Sequence, residues 1–434
     1  MKKIKLRGKE LKRLGYTNHK AIAMAINLVN RHAKRVDKIE ILELLEKIRL
    51  NPDNYLNEPV FGELARMLSD KSIPKKKSKP IDWSKKVDFK IFGQENIDPA
   101  AIHQMETAMK LPISVKGALM ADAHVGYGLP IGGVLATYNA VIPYGVGMDI
   151  ACRMCMSVYP ISPKKIKGES GKIKNILMNE TRFGLAEFKD LDNYEILERK
   201  EFEEIKFLKS LKGKFAKQLG TSGHGNHFVD VGVVEIRDYS TELELEPGSY
   251  FSVLTHSGSR NFGAEVCKHY TSIAKNKLEL TGEAARLAWL EMDSEEGQEY
   301  WKAMNLAGDY SHTNHRIIHK RLAKALGEKP LKIIENHHNF AWKEKLAEGE
   351  ELIIHRKGAT PAAIGDTGII PGTMASPAYI VAGKGNEDSL NSASHGAGRL
   401  MSRNKAKATF TESQLKKYLR EQEVELIGGG TDES

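Results

Sequence analysis

Between residues 20 and 50 the apolar positions recur every three or four residues: Ile22, Ile26, Val29 and Ala33, then Ile41, Leu44, Leu45 and Ile48. That spacing buries one face of a helix and predicts helices over residues 20–36 and 39–50. Asn51-Pro52-Asp53 interrupts the pattern, and a third short helix is expected over residues 59–68. The segment KSIPKKKSKP, residues 71–80, has linker composition and sets the expected boundary: a helical extension over residues 1–80 and a body over residues 81–434. In the body, short strand-like runs lie between glycine turns, at residues 134–137, 140–142, 250–254, 331–334, 351–355 and 378–381. Helical patterns cover residues 195–219, 263–278, 283–326 and 412–423. Strands and helices do not alternate regularly, so the expected class is α+β.

One stretch of the body has no helical or strand rhythm long enough to explain it. From Val125 to Met148 there is no charged residue, yet Gly126, Gly128, Gly132, Gly133, Gly145 and Gly147 break the run too often for a membrane span. Asp122 and His124 stand at one end, and Asp149, Cys152 and Cys155 at the other. Side chains able to bind metal or move protons are thus set on tight turns at the ends of buried strands, as expected of a site on a rigid scaffold.

Composition narrows the setting. The 434 residues are 41% hydrophobic and 28% charged, as in a water-soluble globular protein, and no leader pattern opens the sequence. Three cysteines make no disulfide framework, so a cytoplasmic location with no membrane partner is expected. The net charge of +9 is uneven: residues 1–90 hold 23 Lys/Arg against 11 Asp/Glu. A basic arm on a nearly neutral body suggests a polyanionic partner, although a solvated helical face explains a charge run equally well. Neither a dinucleotide-binding GxGxxG nor a P-loop is present.

Thirteen of the fifteen histidines lie beyond residue 100. His224, His227, His256, His337, His338 and His395 sit beside Gly, Ser or Asn rather than on amphipathic helices. With Asp149 and Cys152 they suggest a mixed Asp, Cys and His metal site, and zinc, iron and manganese all suit such donors. Three glycine-flanked basic segments, residues 257–260, 355–358 and 394–399, suggest turns that cradle phosphate, with Asp122, Asp149 and Asp230 holding cations or accepting hydrogen bonds.

The motifs DAHVGYGLPIGG, VGMDIAC, GHGNHFVD, THSGSRNFG, HHN, HRKGA, GIIPGTM, YIVAGKGN and SHGAGRLMSR occur in this order. Over roughly residues 90–430 they resemble the RtcB family of RNA ligases. The resemblance implies joining of RNA 2′,3′-cyclic phosphate or 3′-phosphate ends to 5′-hydroxyl ends, as in repair or splicing of broken tRNA or rRNA. It implies two manganese ions (Mn2+), GTP as cofactor and a guanylylated histidine. By position, Asp149, Cys152, His227, His256 and His338 would bind the metals, Cys152 bridging both, and His395 would take GMP. Asn226, Asp230, Asn339, Pro371, Gly372, Thr373, Met374, Gly396, Ala397, Gly398 and Arg399 would surround the nucleotide.

The sequence departs from the family pattern at four places. Ala378 stands where a serine contacts the nucleotide, Asp230 replaces a glutamate, and Arg153 is set beside the bridging cysteine. The family tail beyond GGG-x-DE, with a lysine on guanine, is absent from a sequence ending at Ser434. Three outcomes are open at this point: guanine held differently, relaxed nucleotide specificity, or altered activity. Two other functions are compatible with the residues: a metal-dependent phosphodiesterase or phosphatase acting on RNA ends, and a non-ligating RNA-binding homologue.

Overall fold

The chain packs around separate cores in two units, residues 1–76 and 77–434. A computed structural model describes residues 6–16, 19–32, 36–69, 81–188, 194–239, 242–346, 349–399, 401 and 403–427. The predicted linker, Leu400, Ser402 and residues 428–434 lie outside the described residues.

In the first unit the helices are α1 (Gly8–Arg13), α2 (His19–His32), α3 (Lys38–Leu50) and α4 (Gly62–Leu68). Their apolar faces meet at Leu11, Ala25, Val29, Ile41, Leu45, Ile48 and Leu64, as the three-and-four spacing requires. The Asp37 carboxylate accepts from Ile39 N at 2.8 Å and starts α3. Tyr16 donates its hydroxyl proton to Leu45 O at 2.7 Å, tying the first loop to α3.

The second unit mixes strands and helices. In chain order its principal elements are β1 (Lys90–Ile91), α5 (Pro99–Met109), β2 (Ser114–His124), β3 (Ile131–Thr137), β4 (Cys152–Tyr159), β5 (Phe228–Ile236), β6 (Gly248–Ser257), α6 (Arg260–Lys277) and α7 (Glu295–Leu326). They continue with β7 (Lys332–His338), β8 (Phe340–Lys345), β9 (Glu351–Lys357), β10 (Ala359–Pro361), β11 (Thr367–Ile370), β12 (Tyr379–Ala382), β13 (Ser392–Ser394) and α8 (Glu412–Glu421). One sheet has the order β1-β2-β3-β9-β8 and another the order β5-β6-β4-β7, while β10 pairs with β13 and β11 with β12. The architecture is α+β, and neither sheet closes into a barrel. Among the described residues no helix is long and apolar enough to cross a membrane.

The predicted helix over residues 195–219 is instead a run of short turns, because the backbone leaves helical geometry at Ile205 (φ −95°, ψ 101°). That bend lets Phe202, Leu208 and Phe215 all reach one core. The pattern over residues 283–326 divides too: helix α7 begins only where Ser294 caps it, its side chain accepting from Gly297 N at 3.1 Å. Strand β4, CRMCMSVY, is buried on both faces and so has no polar–apolar alternation to reveal it.

His355-Arg356-Lys357 is a buried strand rather than a phosphate-cradling turn. Arg356 donates to Glu344 Oε1 and Oε2 at 2.5 and 3.0 Å, to Ser392 Oγ at 2.7 Å and to Leu390 O at 2.9 Å. The guanidinium therefore clamps β8 and β9 to the segment entering β13. Replacing it by Met should destabilise the body by about 2–4 kcal/mol, less than a fully buried pair because Glu344 is partly solvated. Urea unfolding would report this as a lower midpoint, and an unchanged midpoint would show that Arg356 is not structural.

Candidate active site

The second sheet has two chemically different faces, set by the period-two alternation of its strands. On β4, Cys152, Met154 and Met156 point one way, and Arg153, Cys155 and Ser157 the other. Register carries this across the sheet: Cys152 is opposite His338 on β7, Arg153 opposite His337, and Met154 opposite His256 on β6.

On the first face the metal candidates meet. Cys152 Sγ lies 3.1 Å from His256 Nε2 and 3.4 Å from His227 Nε2. His227 Nε2 is 2.8 Å from Asp149 Oδ2, and His256 Nε2 is 3.4 Å from His338 Nε2. Two groups of donors result, Cys152–His256–His338 and Asp149–Cys152–His227, and Cys152 belongs to both.

Local backbone chemistry places each donor. Asn339, in the left-handed region at φ 59°, accepts at its carbonyl from Ala151 N at 2.9 Å and donates from Nδ2 to Asp149 O at 3.3 Å. It thereby holds the Asp149 turn. Gly258 lies against the Asp149 carboxylate, where an added Cβ would meet Oδ1 at 2.0 Å, so only glycine fits. Gly223 makes the same kind of room for the Arg260 guanidinium. Arg260 donates to Thr221 Oγ1 at 3.1 Å and toward His227 Nδ1 at 3.4 Å. His256 donates Nδ1–H to Asn226 O at 2.8 Å, which leaves the Nε2 lone pair facing the thiol.

The electrostatics fit a cation. Burial pushes His256 down to about 3 and His338 well below the ordinary imidazole range, so both are neutral donors. Burial raises the Asp149 carboxyl, but the charge and hydrogen bond of His227 outweigh it and the net shift is downward. Burial and the neighbouring Asp149 carboxylate push the Cys152 thiol well up. A lone pair on His256 Nε2 directed at His338 Nε2, and a buried His338 Nδ1 without a partner among the described residues, are costly in a purely hydrogen-bonded core. Donors of this kind converging on one point fit a metal ion, and they suit a divalent transition metal.

His395 stands beside this corner, its ring 4.9 Å from that of His338. Its Nδ1 lies 2.7 Å from Asp122 Oδ2, and the backbone N–H groups of His395 and Gly396 donate to the same oxygen at 3.1 Å. A carboxylate can only accept, so Nδ1 carries the proton and Nε2 keeps its lone pair. Burial raises the Asp122 carboxyl, but the bonds from His395 and Ser394 outweigh it and hold it below the ordinary range. Sequence reasoning gave Asp122 no specific partner; the available signal was an acid at the head of the charge-free glycine-rich run.

Asn226, Asp230, Asn339, Pro371, Gly372, Thr373, Met374, Gly396, Ala397, Gly398 and Arg399 all line the same cleft, as does Ala378. Asn226 also acts through its carbonyl on His256, and Asn339 through the Asp149 turn. Asp230 is exposed to the cleft, whose surrounding walls still desolvate its carboxyl and push it up to about 6. Thr373 and Ser376 brace their turn with hydroxyls 2.9 Å apart.

Arg153 does not sit beside the thiol as its sequence position suggested. It lies on the opposite face of β4, with Nη1 3.4 Å from Glu335 Oε2. His337 shares that face and is not a member of either donor group. Cys155, His315 and His319 form a third close group there, missed in the sequence, but its imidazoles are already satisfied. Thr255 Oγ1 lies 2.7 Å from His315 Nδ1 and 2.8 Å from His319 Nε2, while Ser157 Oγ and Ser257 O bond the remaining nitrogens at 2.7 and 3.1 Å. Cobalt(II) added to the protein should therefore give a thiolate-to-metal charge-transfer band that Cys152→Ser abolishes and Cys155→Ser leaves intact. Loss of the band in Cys155→Ser alone would reverse the assignment.

The family model described as tRNA-splicing ligase RtcB matches the chain in two overlapping segments, residues 104–206 and 184–432. The chain is 30% identical to the RNA-splicing ligase RtcB1 of Escherichia coli over 357 residues, covering 74% of this chain and 83% of that protein. It is 30% identical to the tRNA-splicing ligase RtcB of Nanoarchaeum equitans over 414 residues, covering 79% and 86%. The corresponding protein of Archaeoglobus fulgidus is 30% identical over 392 residues, with 74% and 81% covered. With the motif order, the strand register and the donor corner already in place, these matches make the chain a member of the RtcB family.

Proposed function

We propose that this protein is an RNA ligase that joins RNA ends bearing a 2′,3′-cyclic phosphate or 3′-phosphate to 5′-hydroxyl ends through a histidine–GMP intermediate. The observation that carries this reading is the meeting, in a chain of this family, of the donor corner around Cys152 with a His395 whose Nδ1 is held by Asp122. Splicing or repair of broken tRNA or rRNA in the cytoplasm is the setting that follows.

Two manganese ions held by Asp149, Cys152, His227, His256 and His338, with Cys152 common to both, would withdraw charge from phosphoryl oxygens. The chemistry otherwise rests on His395. Asp122 fixes the tautomer, so the Nε2 lone pair is available to attack the α-phosphorus of GTP. An N–P bond forms as the bond to pyrophosphate breaks. An oxygen of the RNA 3′-phosphate next attacks that phosphorus, and the N–P bond breaks to restore His395. The 5′-hydroxyl then attacks the RNA 3′-phosphorus, loses its proton and expels GMP. A cyclic end is first opened by water to a 3′-phosphate.

Asn226, Asp230, Asn339, the turn at residues 371–374 and the loop at residues 396–399 surround the nucleotide in this reading. Residues 1–80, with their excess of Lys and Arg, form an extension that adds salt-sensitive affinity for the RNA backbone.

Incubation with labelled GTP and manganese should yield an acid-labile protein adduct, absent in His395→Ala. Asp122→Asn should lower the rate of adduct formation by about 10²–10⁴-fold, since the amide no longer selects the tautomer. RNA ends processed without GTP, and never joined or accompanied by an adduct, would overturn the reading in favour of a phosphodiesterase.

A further inference from the structure

Two tyrosines that line the cleft take no part in the chemistry above. Tyr127 is 61% exposed and lines the cleft with Tyr144, Met148, Asp149 and Lys357. The two rings are 6.3 Å apart, centroid to centroid, and inclined at 43°. The Arg286 guanidinium lies 5.3 Å from the Tyr127 ring centre, and Lys275 Nζ lies 6.0 Å from that of Tyr144. Glu283, on the same turn as Arg286, is directed to His103 at 3.9 Å.

The backbone under these rings is fixed from within. The Gln104 side-chain amide donates to Gly126 O at 2.7 Å and accepts from Gly126 N at 3.0 Å. The buried Lys357 ammonium donates to the carbonyls of both Tyr127 and Tyr144, the latter at 3.2 Å. One ammonium therefore ties the two tyrosine-bearing turns together; Tyr127 is exposed, and Tyr144 is half-buried against the core. A large aromatic ring left in water on a rigid turn adds little to the fold. Lining a cleft and flanked by cations, it matches a ligand with flat π-faces and negative charge, as unpaired nucleotides have. Tyr138 is similarly exposed, at 59%, but does not line the cleft.

We propose that Tyr127 and Tyr144, with Arg286 and Lys275, form a stacking platform for unpaired bases next to an RNA end delivered to His395. The identity of the ligand as RNA rests on the ligase reading; the platform itself rests on the geometry. Both kinds of RNA end present the same chemistry, a terminal base followed by phosphates, and the test separates them.

Binding to the full-length protein is measured by fluorescence anisotropy with short single-stranded oligoribonucleotides. One ends in a 3′-phosphate and the other in a 5′-hydroxyl, each with an intact or an abasic terminus. Tyr127→Ala should weaken binding of an intact-ended probe by about fivefold to a hundredfold, and Tyr127→Phe should bind as the wild type does. The abasic terminus should erase the difference between wild type and Tyr127→Ala, and the probe that responds identifies the end that is held. Arg286→Ala should lower the salt dependence of log K by about one phosphate contact. Equal binding of wild type and Tyr127→Ala to both intact probes would overturn the proposal, as would an equal loss on intact and abasic termini. Nucleotide labelling of the wild-type protein reads the ligase function separately. Labelling without a stacking effect removes only the platform, whereas base-dependent binding without labelling removes only the ligase reading.

Discussion

The candidate site depends on the alternation of side chains along one fully buried strand. From Cys152 to Tyr159, β4 sends successive residues to opposite faces, and a slip of one position would exchange the two sets. Cys152, His256 and His338 converge because their strands are held in one register. Arg153, Cys155 and His337, each a neighbour in sequence of a site residue or part of the same motif, are carried to the far side by that geometry. The donor corner is thus a property of the sheet rather than of any one motif.

The far face is what keeps the sheet in place. Helix α7 presents a buried polar stripe instead of a purely apolar one. Ser311 donates to Ala151 O at 2.7 Å, next to Cys152, and Asn314 accepts from Gly220 N at 2.7 Å at the start of the loop that carries His227. His315 and His319 bond Thr255, the residue before His256. These bonds are individually modest, but each buried group would be costly to leave unsatisfied, so together they specify one arrangement of the loops around the donor corner. On the first sheet, Asp122 gathers three N–H donors from His395 and Gly396 and sets the position of the last loop.

Much of this was legible in the sequence, for physical reasons that differ between parts. The helices around Ile41 and Leu45 and the long helix up to Leu326 show their one-sided apolar spacing directly. Asp149, Cys152 and the histidines stand out because polar groups among glycines and buried strands have few structural uses. The twin faces of β4 were hidden, since a strand buried on both sides carries apolar and polar residues without alternation. Arg356 and Lys357 looked like phosphate ligands because a basic residue before glycine reads as a turn; only the partners Glu344, Ser392 and the tyrosine carbonyls reveal them as internal clamps. The stripe of Asn314, His315 and His319 was equally hidden, since its meaning lies in what it touches 60 to 93 residues away.

Anomalous diffraction at the manganese edge, on crystals grown with Mn2+, addresses the division of faces most directly. Two peaks should appear on the Cys152 side of β4, both within bonding reach of its Sγ, one shared with His256 and His338 and the other with Asp149 and His227. A peak among Cys155, His315 and His319, or none at Cys152, would contradict the account.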